Sequence, residues 1–186
     1  MHAQDKQLVE KFLSGDGQAF EKLLNKYLKP VYNFLYQFTQ DSSTTDDLAQ
    51  ITFIKAWKNI SRYDPQKSFK TWIFTIAKHT AFDHLKKRKA ISFSMFMDSE
   101  GYNALEEIDE NKLLPNEVLE REDLAKDLEK KLDKIAPALR TILILRYKED
   151  FSLSEISEIL DEPYNTTKSR HNRALRKLKE TLSIKL

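Results

Sequence analysis

From residue 5 to residue 40 the apolar side chains recur at steps of three and four: Leu8, Phe12, Phe20, Leu23, Leu24, Tyr27, Leu28, Val31, Phe34, Leu35 and Phe38. A chain that repeats this way must wind its apolar stripe onto one side of a helix, because 3.6 residues per turn brings i, i+3 and i+4 together. The repeat is broken at Gly15-Asp16-Gly17, a turn, and Pro30 is a place where a helix kinks or ends. Only three glycines occur in the 186 residues and there is no cysteine. Glycine-rich phosphate loops, disulfides, thiolate metal sites and cysteine nucleophiles are therefore excluded, and long helices are favoured. The expected fold class is all-α.

Further along, DSSTTDD at 41–47 supplies N-caps for a helix over roughly 46–60, expected to bury Leu48, Ile51, Phe53 or Ile54, and Trp57. A polar loop around Asp64-Pro65 covers 61–68, and a fourth helix runs from about Phe69 to Lys89. Residues 90–116 fit no period and read as a linker. Helices return over about 117–134 and again near Pro137, a favoured first-turn residue. Ser152-Leu-Ser-Glu155 matches a capping box that opens a short helix carrying Leu153, Ile156, Ile159 and Leu160.

After Asp161-Glu162-Pro163 comes YNTTKSRHNRALRKLK, with six basic side chains and no acidic one. On a helical wheel Thr167, His171, Ala174, Leu175, Leu178 and Leu182 share one side. Asn165, Ser169, Asn172, Arg173 and Arg176 form a separate stripe, flanked by Arg170 and Lys177. A short capped helix, a turn and a second helix with a basic, polar outer stripe is helix-turn-helix geometry, in which the second helix enters the DNA major groove. Lys168, Ser169, Asn172 and Arg173 suit base edges, since cations match guanine acceptors and asparagine matches adenine. Thr166, Arg170, Arg176 and Lys177 suit phosphates.

Charge is segregated in the same pattern. Residues 1–90 carry 15 Lys/Arg against 9 Asp/Glu, residues 91–135 carry 6 against 13, and residues 136–186 carry 10 against 7. A net +6, −7 and +3 reads as two polyanion-binding modules with an acidic connection. No apolar run reaches the ~18 residues of a membrane span, and MHAQDKQLVEKF lacks a signal-peptide core, so a cytoplasmic protein without membrane insertion is expected. No metal site is expected at His79, Asp83 and His84: positions 79 and 84 lie about 140° apart on the wheel, and His79 with Asp83, compatible at i, i+4, leaves only two ligands. No catalytic constellation stands out, so an enzyme is not expected, nor a cofactor.

Taken together, the segments resemble the group IV, or extracytoplasmic-function, sigma factors of bacterial RNA polymerase, in order and spacing over nearly the whole length. Gly15-Asp16 with Ala19-Phe20, Leu23 and Tyr27 looks like the opening of sigma domain 2. DDLAQITFIKAWKNI is similar to its polymerase-binding helix, and FKTWIFTIAKHTAFDHLKKRK to its promoter-melting and −10 helix. LPNEVLERED resembles the entry to domain 4, and SLSEISEIL with PYNTTKSRHNRALRKLK its −35-reading helix-turn-helix.

The resemblance implies domain 2 over 1–92, an acidic linker over 93–116 and domain 4 over 117–186. It implies a factor that binds core RNA polymerase, reads the −35 duplex and stabilises the melted −10 strand of promoter DNA. It also implies an anti-sigma partner and a monomer when free. Asp47, Gln50, Phe53 and Lys55 would meet the polymerase. Tyr63, Lys70, Lys78, His79 and Lys86 would meet the −10 strand, with the loop Tyr63–Ser68 helping to capture a flipped base. Trp72 is expected in the core, whereas Tyr63 is expected to be accessible in its polar loop. His79 stands where the family often has asparagine, Asn165 where it has glycine and Thr167 where it has valine. A conventional helix-turn-helix regulator and a helical interaction module are the competing readings. The aromatic-basic stretch at 69–89 opposes the former and the basic stripe at 165–177 the latter.

Overall fold

A computed structural model describes residues 2–88, 131–132 and 134–183, and among these every regular element is helical. The expected linker 93–116 lies outside the described residues, as does most of the helix expected over 117–134, of which Lys131 and Leu132 are helical. Helix α1 covers His2–Leu13, α2 Gly17–Thr39, α3 Ser42–Asn59 and α4 Phe69–Arg88. After the undescribed stretch come α5 (Pro137–Leu143), α6 (Leu153–Leu160) and α7 (Tyr164–Ser183).

The helix ends follow local chemistry. Gly15 turns the chain at φ +105°, a conformation that costs a glycine nothing, and the Asp16 carboxylate then accepts from Gln18 N–H to cap α2. Asp41 caps α3 four residues earlier than the expected start near 46, by accepting from Thr44 N–H at 2.8 Å. Pro30 lies inside α2 and does not end it. Pro137 opens α5, and the Ser152–Glu155 capping box is complete.

Helices α2, α3 and α4 pack around Leu23, Tyr27, Val31, Phe34, Leu35, Phe53, Phe69, Ile73 and Phe74, all buried, with α1 across α2. Trp72 is half-buried against this core. Helix α4 is apolar around most of its circumference, and the reason is that it is covered twice. One side meets α2 and α3, the other meets α6. The core accordingly continues into the second half of the chain through Ile142, Leu145, Phe151, Ile156 and Ile159. Beyond Leu143 the helix widens to a π-type turn over Ile144–Lys148, and Asp150, at φ +55°, reverses the backbone so that Phe151 is driven inside. A second, smaller core joins Ile135, Leu139 and Leu143 to Ala174, Leu175 and Leu178 of α7.

Candidate nucleic-acid interface and an apolar groove

Helix α7 is two-faced in the way its sequence requires. Thr167, His171, Ala174, Leu175 and Leu178 are buried, and the Tyr147 hydroxyl meets His171 Nε2 at 3.1 Å. Leu182, expected on the same side, is exposed near the helix end. Asn165, Arg176 and Lys177 are exposed, and Thr166, Lys168, Ser169, Asn172 and Arg173 are partly exposed, so the stripe expected to read DNA lies on the outer side. Arg170 differs. Its guanidinium is paired with the Glu162 carboxylate, which also accepts from the Thr167 hydroxyl at 2.7 Å. The side chain therefore closes the α6–α7 turn, where a free outward cation was expected. Asp161 holds that turn in the left-handed region at φ +56°.

The loop at 61–68 is organised from inside. Asp64 accepts from Gln66 N–H at 2.9 Å, and its carbonyl accepts from Lys67 N–H. Tyr63 is 7% exposed, which overturns the expectation of an accessible ring. It packs on Phe69 and Trp72 at 5.5 and 5.4 Å, its hydroxyl donates to the Lys67 carbonyl at 2.5 Å, and burial pushes its phenol pKa up. The reason is that a tyrosine in a polar loop still has a large apolar ring, and two aromatic neighbours lie within reach.

Behind it, Asp5 on α1 is buried and accepts from the Tyr27 hydroxyl at 2.5 Å and from the Lys26 ammonium. Tyr27 in turn packs on Phe69 at 5.6 Å. Along α4, His79 and Lys86 are exposed, as a strand contact requires. Lys70 and Lys78 are not open to solvent: Lys70 is turned toward Glu149, and Lys78 is only 5% exposed. Burial holds the Lys78 ammonium below its ordinary pKa, against the opposing pull of Asp161 and Glu162.

Helix α3 buries Leu48 and Phe53 as expected but turns Ile51 and Trp57, also expected inside, to solvent. Its buried stripe is mostly small, with Thr45, Leu48, Ala49, Thr52 and Ala56 beside Phe53, and the large Ile51, Ile54 and Trp57 are 42, 52 and 53% exposed. Small inward residues let α3 lie close on its neighbours. With exposed Leu28 of α2, Ile54 and Trp57 line an open groove of about 780 Å³. Gln50 and the edge of Phe53 also line it. Asp47 is exposed outside the groove, and Lys55 is turned to α4, donating to the Thr80 hydroxyl at 3.3 Å and pairing with Asp83 at 3.5 Å. Sequence reasoning missed Leu28, Ile54 and Trp57 as surface residues. The available signal was that α3 carries two apolar stripes where one core face needs only one.

Comparison with known proteins points the same way. Residues 23–91 match the family model Sigma-70 region 2, and residues 132–180 match Sigma-70, region 4. The chain is 28% identical to the ECF RNA polymerase sigma factor SigW of Bacillus subtilis, over 95% of this chain and 96% of that one. It is 32% identical to the RNA polymerase sigma-H factor of Pseudomonas aeruginosa, over 92% and 90%. It is 31% identical to the ECF RNA polymerase sigma-E factor of Haemophilus influenzae, over 91% and 90%. Among solved structures, CnrH in complex with the cytosolic domain of CnrY shares the fold at a TM-score of 0.68, with 20% identity over 98% of this chain and 99% of that one.

Proposed function

Because the chain belongs to the extracytoplasmic-function sigma factors of RNA polymerase, and so directs promoter-specific transcription initiation, we propose how its residues divide that work. Residues 1–92 form the module that binds core polymerase and holds the melted −10 strand. Residues 117–186 form the module that reads the −35 duplex, and residues 93–116 connect them. The observation that carries this division is the apolar groove of α2–α3, which keeps Trp57 and Ile54 in solvent on the same chain as the basic outer stripe of α7.

In this reading Lys168, Ser169, Asn172 and Arg173 contact base edges, and Thr166, Arg176 and Lys177 contact phosphates. Gln50 and Phe53, joined by Leu28, Ile54 and Trp57, meet the polymerase, with Asp47 at the margin. His79 and Lys86 are the −10 contacts open in this arrangement, whereas Lys70 and Lys78 need their cover removed. Tyr63 shapes the capture loop from beneath. An anti-sigma partner belongs to the proposal by extension from Bartonella quintana RpoE, solved in complex with the anti-sigma factor NepR. The factor acts as a monomer and has no catalytic site of its own. Among the described residues no helix is long and apolar enough to cross a membrane.

Transcription in vitro with purified core polymerase, with and without this protein, tests the reading. Start-site-specific transcripts that need the protein support it. Tight duplex binding without any polymerase binding would replace it with a conventional regulator.

A further inference from the structure

Asp5 is a buried acid that neither the −10 contacts nor the apolar groove uses. It lies on α1 and is 2% exposed. A carboxylate there carries a desolvation penalty that a leucine would avoid, and a leucine would hold α1 on α2 as well. What the carboxylate adds is direction. It accepts from the Tyr27 hydroxyl at 2.5 Å, and the Lys26 ammonium pairs with its other oxygen. Burial, and then the bond to Asp5, push the Tyr27 phenol far above its ordinary pKa, so the proton stays on the hydroxyl and in this bond. The Tyr27 ring, fixed at its far end, meets Phe69 at 5.6 Å. Phe69 meets Tyr63 edge-on at 5.5 Å, and the Tyr63 hydroxyl donates to the Lys67 carbonyl at 2.5 Å. Tyr27, Phe69 and Tyr63 are 2, 2 and 7% exposed, so none of the three rings turns without displacing its neighbour. One row of buried groups thus runs from α1 to the backbone of the capture loop. The outer side of α1 reaches the same place, since Ala3 and Lys6 line a cavity of about 410 Å³ together with Pro65, Lys67 and Ser68.

We propose that Asp5 is a positioning residue for base capture: through Tyr27, Phe69 and Tyr63 it sets the Lys67 carbonyl, and with it the shape of the loop that receives a flipped −10 base. The proposal rests on residues 63–68 being the capture loop. Asp5 touches no DNA. It acts by holding the loop in one arrangement before the strand arrives, so that binding does not carry the cost of ordering it. The Lys67 carbonyl is the point of control because the loop is already held on either side of it. Lys67 N–H donates to the Asp64 carbonyl at 3.0 Å. The Ser68 carbonyl and hydroxyl accept from Trp72 and Thr71 N–H at 3.0 and 3.3 Å, in the first turn of α4. Tyr63 supplies the remaining tie, and its ring is aimed from α1.

The test uses variants of the full chain. Asp5→Asn keeps an acceptor for Tyr27. Asp5→Leu combined with Tyr27→Phe removes both polar groups together, so no buried hydroxyl is left unpaired and the fold is retained. Tyr63→Phe deletes only the last bond of the row. Hydrogen exchange at the Gln66 and Lys67 amides, both bonded to Asp64, reads the loop. The proposal requires exchange about fivefold to tenfold faster in the Asp5–Tyr27 double variant and in Tyr63→Phe, the worth of one buried hydrogen bond. Asp5→Asn should stay within about twofold of wild type, and joining Tyr63→Phe to the double variant should add little, because both cut one row. Bound to core polymerase, the same proteins are titrated with forked DNA of a promoter that wild type transcribes, carrying 2-aminopurine at each −10 position in turn. The double variant should need about tenfold more DNA to reach the fluorescence of the unstacked base. Unchanged exchange overturns the proposal, and so does faster exchange with unchanged capture. Absence of promoter transcription by wild type would sink the sigma assignment of the residues and leave the exchange result to judge the coupling of Asp5 to the loop alone.

Discussion

Trp57 and Asp5 mark opposite ends of what one residue contributes. Trp57 is half exposed and holds no core together. Trp57→Ala is expected to leave unfolding free energy within about 0.5 kcal/mol of wild type, as exposed substitutions do. It should weaken core-polymerase binding by at least ~30-fold if the groove is an interface hot spot. Thermal melting and a polymerase-binding titration separate the two effects. Asp5→Ala reverses the pattern. It leaves the buried Tyr27 hydroxyl without its acceptor and should cost about 1–3 kcal/mol in urea denaturation.

Glu149 gives a pH test. Its pKa is raised from 4.5 by burial, so the folded state binds more protons than the unfolded chain between 4.5 and the raised value. The ionised carboxylate therefore subtracts stability above that window, and the loss fades as pH falls through it. Measured by denaturation from pH 7 down to 4.5, wild type should gain stability relative to Glu149→Gln.

At the scale of the helix, α6 and α7 were the most legible elements. Each carries a local signal, a capping box in one and a single apolar stripe in the other. Ser152→Ala removes one half of that box and should cost about 1 kcal/mol, read as a lower denaturation midpoint with an unchanged slope. On the outer stripe, Lys177→Ala should weaken −35 duplex binding evenly across sequences and reduce its salt slope by about one, while Arg173→Ala should relax base preference. Helices α3 and α4 were misjudged in part, and for one reason. Both have apolar residues on more than one face, so periodicity locates the helices without saying which face a partner covers.

For the whole molecule the decisive fact is that one apolar cluster runs from α2 and α4 into Phe151, Ile156 and Ile159. Such a shared core couples the halves. Calorimetry of the intact chain should show one transition whose calorimetric and van't Hoff enthalpies agree. Phe151→Ala, at a site where truncation costs about 3–5 kcal/mol, should split it into two. Two separate peaks in the wild type would mean that the contact across α4 contributes little to holding the halves together.

The all-α class, the capped helix starts, the buried side of α7 and the order of two sigma regions were all determined within the amino-acid sequence. Each depends on residues a few positions apart, where helical period and capping chemistry act. The exposure of Trp57 and Ile54, the burial of Tyr63 and the cover over Lys70 and Lys78 depend on side chains up to 84 positions away, as in the Thr71–Glu155 contact. No local pattern encodes which of two apolar faces finds a partner, or whether a cation faces solvent or a carboxylate. Only the tertiary packing decided that, because burial is a property of what lies opposite.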